Sequence, residues 1–354
     1  MTAHGGDRPE RLAAAARLLQ QELLEALALA SDAIADDLAE RLGMVAWERE
    51  EQIGLAQRRL QQLREQRFDH HGGEPVLVRE LRAQPLEALE LAWRELRCGR
   101  RVHVESEAGA SPGVHRILRD MAELLGGKGL TVTAPGILDH PQATWRRVGV
   151  EPRCERVALV QDDADHELAA YLLARACLRR TGFDPRVIHR VITIGPAPRL
   201  ERTLRRLWMG ARMGPVDDEQ AFAGPVTDDR VAAYLHALAH WSELEGVQTL
   251  CAGSTLQRSD APGQRFLAPS LFRAAPEGPA MDPASAPVGP MLIVHPVTDG
   301  AQAEALLESL TPAGHGRVRF GSKPRALELR PEDRQIHGAL LVERLPPGLP
   351  EPRP

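Results

Sequence analysis

The chain has 354 residues, enough for two domains with hydrophobic cores, and its 43% hydrophobic and 26% charged residues are ordinary for globular proteins. It contains no apolar run of about 18 residues that could span a bilayer, and its net charge of -5 gives no reason to expect nucleic-acid binding. The N-terminal residues lack the apolar core of a signal peptide, and the four cysteines have no metal-type spacing. We therefore expect a cytoplasmic protein with free thiols.

The first part of the chain alternates between helical and extended patterns. Apolar residues recur at helical spacing from Arg8 to Arg67, which predicts two or three amphipathic helices. Strands and helices are then predicted in alternation at Pro75–Val78, Pro85–Arg97, Arg101–Val104, Pro112–Leu125 and Leu130–Thr133. This alternation predicts a parallel sheet covered by helices.

The second part of the chain continues the alternation. A strand at Val157–Val160 leads through Asp163-Ala164-Asp165 into a helix from about His166 to Arg180. Further helices are predicted at Ala197–Gly210, Asp228–Glu245, Ala301–Leu310 and Pro324–Arg330, and strands at Gln248–Cys251, Met291–His295, Gly316–Phe320 and Ala339–Val342. The Pro-, Ala- and Gly-rich stretch Ala274–Pro290 is predicted to be an irregular loop.

Residues Val157–Thr193 resemble the nucleophile segment of the aldehyde dehydrogenase family. In that family a buried strand leads to an Asp-Ala-Asp turn, a long helix and a Gly-x-x-Cys turn, and the last turn here reads Gly182-Phe183-Asp184-Pro185. Three more family motifs follow in order, at Phe222-Ala223-Gly224-Pro225-Val226, Phe266–Leu271 and Val288-Gly289-Pro290. The resemblance extends to about Val342. It implies the α/β fold of that family, with two Rossmann-like domains of parallel or mixed sheets and flanking helices.

The resemblance also predicts domain boundaries. We expect N-terminal helices and a degenerate dinucleotide-binding-like domain over 1–156, and a catalytic-like α/β domain over 157–315. A returning strand, helix and strand would occupy 316–345, and 346–354 would form a flexible tail.

The resemblance places the functional positions of the family on residues of different chemistry. Pro185 occupies the position of the family's nucleophilic cysteine, and proline has no side-chain heteroatom that could form a thiohemiacetal. Glu105 stands at the cofactor-binding lysine, where an acid would repel the pyrophosphate, and Ala286 stands at the ribose-binding glutamate. The pyrophosphate segment is shortened to Ala134–Val150, which is expected to be too short for the usual strand and helix. Only Glu151, at the general-base position, keeps the residue type of the family.

Three other motifs have ordinary structural explanations. Cys177, eight residues before Pro185, could be a displaced nucleophile, but a cysteine within an apolar helix is usually a small buried hydrophobe. His236 and His240 have metal-ligand spacing but lack the glutamate of an HEXXH motif, so no metal site is predicted. The stretch Gly126-Gly127-Lys128-Gly129 joins a helix to a strand and has no Ser or Thr after its lysine, which favours a helix C-cap over a phosphate loop.

Two functions remain open on the sequence. The first is an aldehyde dehydrogenase-like protein that has lost NAD(P)-dependent aldehyde oxidation, needs no cofactor, and acts as a scaffold or partner subunit. It would form a homo-oligomer or a complex with an active dehydrogenase relative, with neither nucleic acid nor membrane as partner, and the apolar strand at Ala339–Val342 would offer an edge for pairing. The second is a divergent oxidoreductase that uses NAD or NADP on an aldehyde or oxo group, with a relocated site and Glu151 as base.

Overall fold

The computed structural model of the chain divides into two units. Unit 1 comprises Met1–Leu42 and Glu48–Pro152, and unit 2 comprises Gly43–Trp47 and Arg153–Pro354. The structure describes residues 9–68, 72–80, 84–127, 129–137, 156–275, 286–311 and 316–321, with the backbone alone at 146–148 and 334–337. The predicted helix at Pro324–Arg330 and the predicted strand at Ala339–Val342 lie outside these ranges.

Four helices open the described chain, so the prediction of two or three was wrong in number. They are α1 (Pro9–Leu18), α2 (Gln20–Leu29), α3 (Ser31–Leu42) and α4 (Ala46–Glu65). Single residues separate the first three helices, and both stay close to helical geometry, with φ −82° and ψ 4° at Leu19 and φ −89° and ψ 0° at Ala30. Because the chain barely leaves the helix there, the apolar periodicity runs through both breaks and does not reveal them.

A four-stranded parallel sheet forms the rest of unit 1. Its elements are β1 (Val76–Glu80), α5 (Pro85–Arg97), β2 (Val102–Ser106), α6 (Pro112–Leu124), β3 (Leu130–Val132) and β4 (Arg146–Val148). The strand order is β3-β2-β1-β4. The stretch Ala134–Val150 contains the short strand β4, and its residues 138–145 lie outside the described ranges. The sequence Arg146-Arg147-Val148 has no apolar run by which that strand could be predicted.

Unit 2 contains a seven-stranded mixed sheet. In chain order its elements are β5 (Arg156–Val160), α7 (His166–Leu178), β6 (Ile188–Ile194), α8 (Pro198–Gly210), α9 (Asp228–Glu243), β7 (Val247–Cys251), β8 (Ser254–Leu256), β9 (Phe266–Ala268), β10 (Ser270–Ala274), β11 (Met291–Val297), α10 (Gly300–Leu310), β12 (Gly316–Gly321) and β13 (Arg334–His337). The strand order is β13-β12-β5-β6-β11-β10-β7, and within the described part of this sheet only the pairing of β7 with β10 is antiparallel. Strands β8 and β9 form a separate antiparallel pair. The two sheets confirm the predicted α/β class.

Helices cover both faces of the unit 2 sheet. Residues of α7 and α8 form a hydrophobic cluster that includes Val160 of β5 and Val294 of β11. The neighbouring strand residues Leu159 and Ile293 belong instead to clusters with α10 and α9. Successive strand residues point to opposite faces, so α7 and α8 lie on one face and α9 and α10 on the other.

Candidate functional site

The candidate nucleophile site is the segment Arg179–Pro185, here called the Pro185 turn. It follows α7, which begins where the sequence predicts because Asp165 Oδ1 accepts hydrogen bonds from the backbone N–H groups of Glu167 (3.0 Å) and Leu168 (3.1 Å). The helix ends at Leu178, two residues before the predicted end. Three consecutive residues then take left-handed backbone conformations, with φ of 51° at Arg180, 54° at Thr181 and 76° at Gly182.

Two of these left-handed residues are not glycine, and each costs about 1–3 kcal/mol of backbone strain. The Thr181 hydroxyl donates to the carbonyl oxygen of Gly224 at 2.8 Å. The guanidinium groups of Arg179 and Arg180 pair with the Asp184 carboxylate at 3.6 and 3.9 Å. Contacts from outside the helix therefore hold the backbone in a conformation that its own residues disfavour.

Asp184 is ionised and serves as an acceptor within this turn. Burial acts to raise the pKa of Asp184, but Arg179 and Arg180 together with the backbone N–H of Arg186 hold the pKa below its usual value. The Arg186 N–H donates to Asp184 Oδ1 at 2.9 Å. This carboxylate orders the turn and is not a proton donor.

The structure brings the Pro185 turn together with two other segments singled out in the sequence. A Cβ on Gly182 would lie 2.0 Å from the carbonyl carbon and oxygen of Gly289, in the Val288-Gly289-Pro290 turn. Gly224, which accepts from Thr181, lies in the predicted Gly-Pro-Val turn. The Pro185 turn therefore packs directly against the backbone of both Gly224 and Gly289.

The turn nevertheless presents no nucleophile. Pro185 is buried and carries no heteroatom. The only hydroxyl in the turn belongs to Thr181, which is 1% exposed and engaged with Gly224. The nearest histidine along the chain, His189, has its Nε2 3.0 Å from the carbonyl oxygen of Gly289.

The cysteines in the described part of unit 2 do not supply a thiolate either. Cys177 is fully buried in α7, and its thiol donates to the carbonyl oxygen of Met291 at 3.3 Å. Burial raises the pKa of Cys177 well above its usual value, and burial also raises the pKa of Cys251 against the opposing effect of Arg205. Both thiols are therefore protonated near neutral pH.

Glu105, the predicted counterpart of the cofactor lysine, is a completely buried residue of β2. Its register partner on β1 is Arg79, whose guanidinium lies 3.9 Å from the Glu105 carboxylate. The position carries a buried acid paired to an arginine, where a pyrophosphate would need a free cation.

Several solved structures of aldehyde dehydrogenases are similar to this chain. A methylmalonate-semialdehyde dehydrogenase from Oceanimonas doudoroffii is 15% identical with a TM-score of 0.66, covering 88% of this chain and 73% of that chain. A NAD-dependent benzaldehyde dehydrogenase from Corynebacterium glutamicum is 15% identical with a TM-score of 0.65, covering 88% and 76%. An aldehyde dehydrogenase from Bartonella henselae is 13% identical with a TM-score of 0.68, covering 89% and 75%. The chain has the aldehyde dehydrogenase fold. No protein-family model and no curated protein matches the sequence.

The aldehyde dehydrogenase fold implies a dinucleotide, and the residues at two predicted contact positions, Glu105 and Ala286, do not fit one. Glu105 is an acidic residue that pairs with Arg79 and offers no cation, and the methyl group of Ala286 cannot accept hydrogen bonds from ribose hydroxyls. Glu151 and residues 138–145 of the predicted pyrophosphate segment lie outside the described residues. The role assigned to Glu151 stays a prediction.

Metal-binding clusters and membrane-spanning helices are both absent from the described part of the chain. No group of three or more His, Cys, Asp or Glu residues there is placed to hold a metal ion, and His240 packs edge-on against the Trp241 ring with the ring centres 6.3 Å apart. None of the helices in the described ranges is long and apolar enough to cross a membrane.

Sequence reasoning missed a polar group in unit 1, formed by the buried Glu80 and Ser106 and the partly buried His115 and here called the Glu80 cluster. The Ser106 hydroxyl donates to Glu80 Oε2 at 2.5 Å and lies 3.4 Å from His115 Nδ1. Burial raises the pKa of Glu80 to about 7, against the opposing effect of the Ser106 hydrogen bond. The only signal in the sequence is a polar residue shortly after each of two apolar strands.

Proposed function

We propose that this aldehyde dehydrogenase-fold protein does not oxidise aldehydes and acts as a scaffold or partner subunit. The observation that carries the proposal is the Pro185 turn, where contacts from Gly224 and Asp184 hold the backbone and proline occupies the position that the family resemblance assigns to the nucleophile. The enzymatic reaction needs a thiolate that attacks the aldehyde carbon, so that hydride can leave the resulting thiohemiacetal for NAD(P). A proline ring cannot form that bond.

The buried Cys177 does not rescue the reaction. Its thiol is buried in the core and donates a hydrogen bond to the carbonyl oxygen of Met291. The thiol could reach an aldehyde only if the packing between α7 and the sheet opened. The pairing of Glu105 with Arg79 removes the expected cationic contact for a dinucleotide. Loss of the nucleophile and loss of the cofactor contact are independent changes, and both point to the same conclusion.

Activity and cofactor binding test the proposal directly. We expect no reduction of NAD or NADP with propanal or benzaldehyde, and calorimetry should give dissociation constants weaker than about 1 mM for both dinucleotides. Pro185→Cys should remain nearly inactive, because a thiol alone supplies no cofactor site. Micromolar dinucleotide binding, or turnover of any aldehyde by the wild-type chain, would refute the proposal and favour the divergent oxidoreductase.

A non-catalytic role requires association, either with a second copy or with an active relative. Among the described strands, β7 lies at one end of the unit 2 sheet and pairs only with β10. An edge strand presents unpaired N–H and C=O groups to which another chain can add. Light scattering at micromolar concentration is expected to show a dimer or a complex. A stable monomer without any co-purifying dehydrogenase would contradict this part of the proposal.

A further inference from the structure

The Glu80 cluster lies where the two central strands of the unit 1 sheet end. Glu80 and Ser106 are the last residues of β1 and β2 and are register partners in the parallel pair. Both residues have 0% exposure. Ser106 satisfies one carboxylate oxygen of Glu80, whereas the other, Oε1, has no hydrogen-bond partner in the described part of the chain. A buried carboxylate oxygen of this kind calls for an explanation beyond packing.

His115 connects this buried pair to an open cleft. Its Nδ1 lies 3.4 Å from the Ser106 hydroxyl, and the same side chain lines a cleft of about 340 Å³. The cleft is lined by α6 residues that include Arg116, Arg119 and Asp120, and by Pro135, which follows β3. The volume is at the lower end of the range found for small-molecule sites.

The charges that line the cleft favour an anion. Arg116 and Arg119 are exposed, lie three positions apart on one helix face, and make no ion pair with another described residue. Burial lowers the pKa of His115, and the positive charge of Arg119 lowers it further. The imidazole is therefore neutral near pH 7. Asp120 is the one acid in the lining, so two guanidinium groups leave the cleft with net positive charge.

The start of α6 is already occupied and does not provide the anion site. Asp37 Oδ2 accepts from the Gly113 backbone N–H at 3.2 Å and from the Ser111 hydroxyl at 2.8 Å. Ser111 Oγ in turn accepts from the Val114 N–H at 3.4 Å. A protein carboxylate therefore already fills the position that a ligand would take at a free helix terminus. Any anion in the cleft must be recognised by the side chains along α6.

The topology of the sheet places the cluster at a position suited to ligand binding. From β1 the chain proceeds to β2 and β3 on one side, whereas β4 adds to the other side of β1. In open parallel sheets, ligands bind outside the carboxyl ends of the strands where the order reverses. Glu80 is the residue at that end of β1.

We propose that this cleft binds a small anionic molecule, a phosphate or a carboxylate, between Arg116 and Arg119, with His115 and Ser106 linking it to Glu80. Arg119 is the central contact because it lies beside His115 as well as in the cleft wall. The site uses none of the residues of the Pro185 turn, and its existence does not depend on the proposed function.

Titration of the full-length protein with inorganic phosphate and, separately, with sodium acetate tests the site. Binding is followed by calorimetry and by the ring signals of His115 in NMR. We expect at least one anion to bind and to shift the His115 signals, and Arg119→Ala to weaken binding at least tenfold. Arg119→Lys, which keeps the charge, should recover part of the affinity. Arg101→Ala is the matched control, because Arg101 is an exposed residue at the opposite, amino end of β2.

The outcomes separate the sources of the anion and separate this site from the proposed function. Binding of phosphate alone assigns a phosphorylated ligand, and binding of acetate alone assigns a carboxylate ligand. If neither anion binds, or if Arg119→Ala binds as tightly as Arg101→Ala, the proposal is wrong. A parallel titration with NAD distinguishes a dinucleotide site: phosphate binding without NAD binding supports the small-anion assignment, whereas NAD binding that Arg119→Ala abolishes would overturn it.

Discussion

The Pro185 turn of unit 2 and the Glu80 cluster of unit 1 combine backbone geometry and chemistry in opposite ways. In the turn, three successive left-handed residues are held by Gly224, Gly289 and Asp184, and the side chain they position is inert. In the cluster, ordinary strand ends position a carboxylate and a hydroxyl, and helix α6 positions an imidazole. None of the contacts that shape the turn involves the side chain at position 185. The shape of this turn is therefore set by groups other than the side chain at position 185.

The strongest test of the turn geometry is Gly182→Ala. The added Cβ would meet the carbonyl group of Gly289 at 2.0 Å, in addition to the strain of a positive φ. We expect a loss of more than about 4 kcal/mol in the free energy of unfolding, measured by chemical denaturation. Gly195→Ala is the control, because Gly195 has a similar φ of 72° but open space around it. It should lose only about 1–2 kcal/mol. Equal losses would show that close contact with Gly289 does not shape the turn.

The Glu80 cluster should respond to pH. Burial raises the pKa of Glu80 from 4.5 to about 7 in the folded chain. The folded state therefore binds the proton more tightly, and stability falls as the pH rises through this window. As the pH rises from 4.5 to above 7, the free energy of unfolding of Glu80→Gln should increase by about 3 kcal/mol relative to that of the wild type. Denaturation curves across that range measure the change, and a constant difference between the two proteins would contradict the buried, titrating carboxylate.

A smaller effect is expected within the turn from Thr181→Val. The variant keeps the branched shape but removes the hydroxyl that donates to Gly224. Because the Gly224 carbonyl would lose its donor, we expect a loss of about 1–2 kcal/mol. Thr181→Ser retains the hydroxyl and should stay closer to wild type. If both variants lose the same amount, the hydrogen bond is not what holds Thr181 in its left-handed conformation.

The apolar pattern predicted the elements well where side-chain packing alone decides them. Helix α5 was predicted with the observed ends, Pro85–Arg97, and α6 to within one residue. In contrast, β1 and β2 were predicted to stop at Val78 and Val104, two residues early. Their last residues, Glu80 and Ser106, are polar, and apolar periodicity cannot recognise a polar pair that is buried because its members bond to each other.

The Pro185 turn shows a second limit of sequence reasoning. The predicted helix extends to about Arg180, and arginine is by itself a good helix former. In the structure their guanidinium groups pair with Asp184, and the backbone reverses into the left-handed region. Tertiary contacts overrode local propensity. The assignment of Pro185 to the nucleophile position, in contrast, rests on the motif alone and stays a prediction.

The central claim is that this protein presents no nucleophile to a carbonyl group. Intact-protein mass spectrometry after incubation with p-nitrophenyl acetate tests this claim most directly. The buried, protonated Cys177 and the proline at position 185 predict that the native chain forms no acetyl adduct at either site. Peptide mapping of the denatured protein, in which Cys177 becomes reactive, provides the positive control. A stable acyl adduct on Cys177, Thr181 or Cys251 of the native protein would contradict the account.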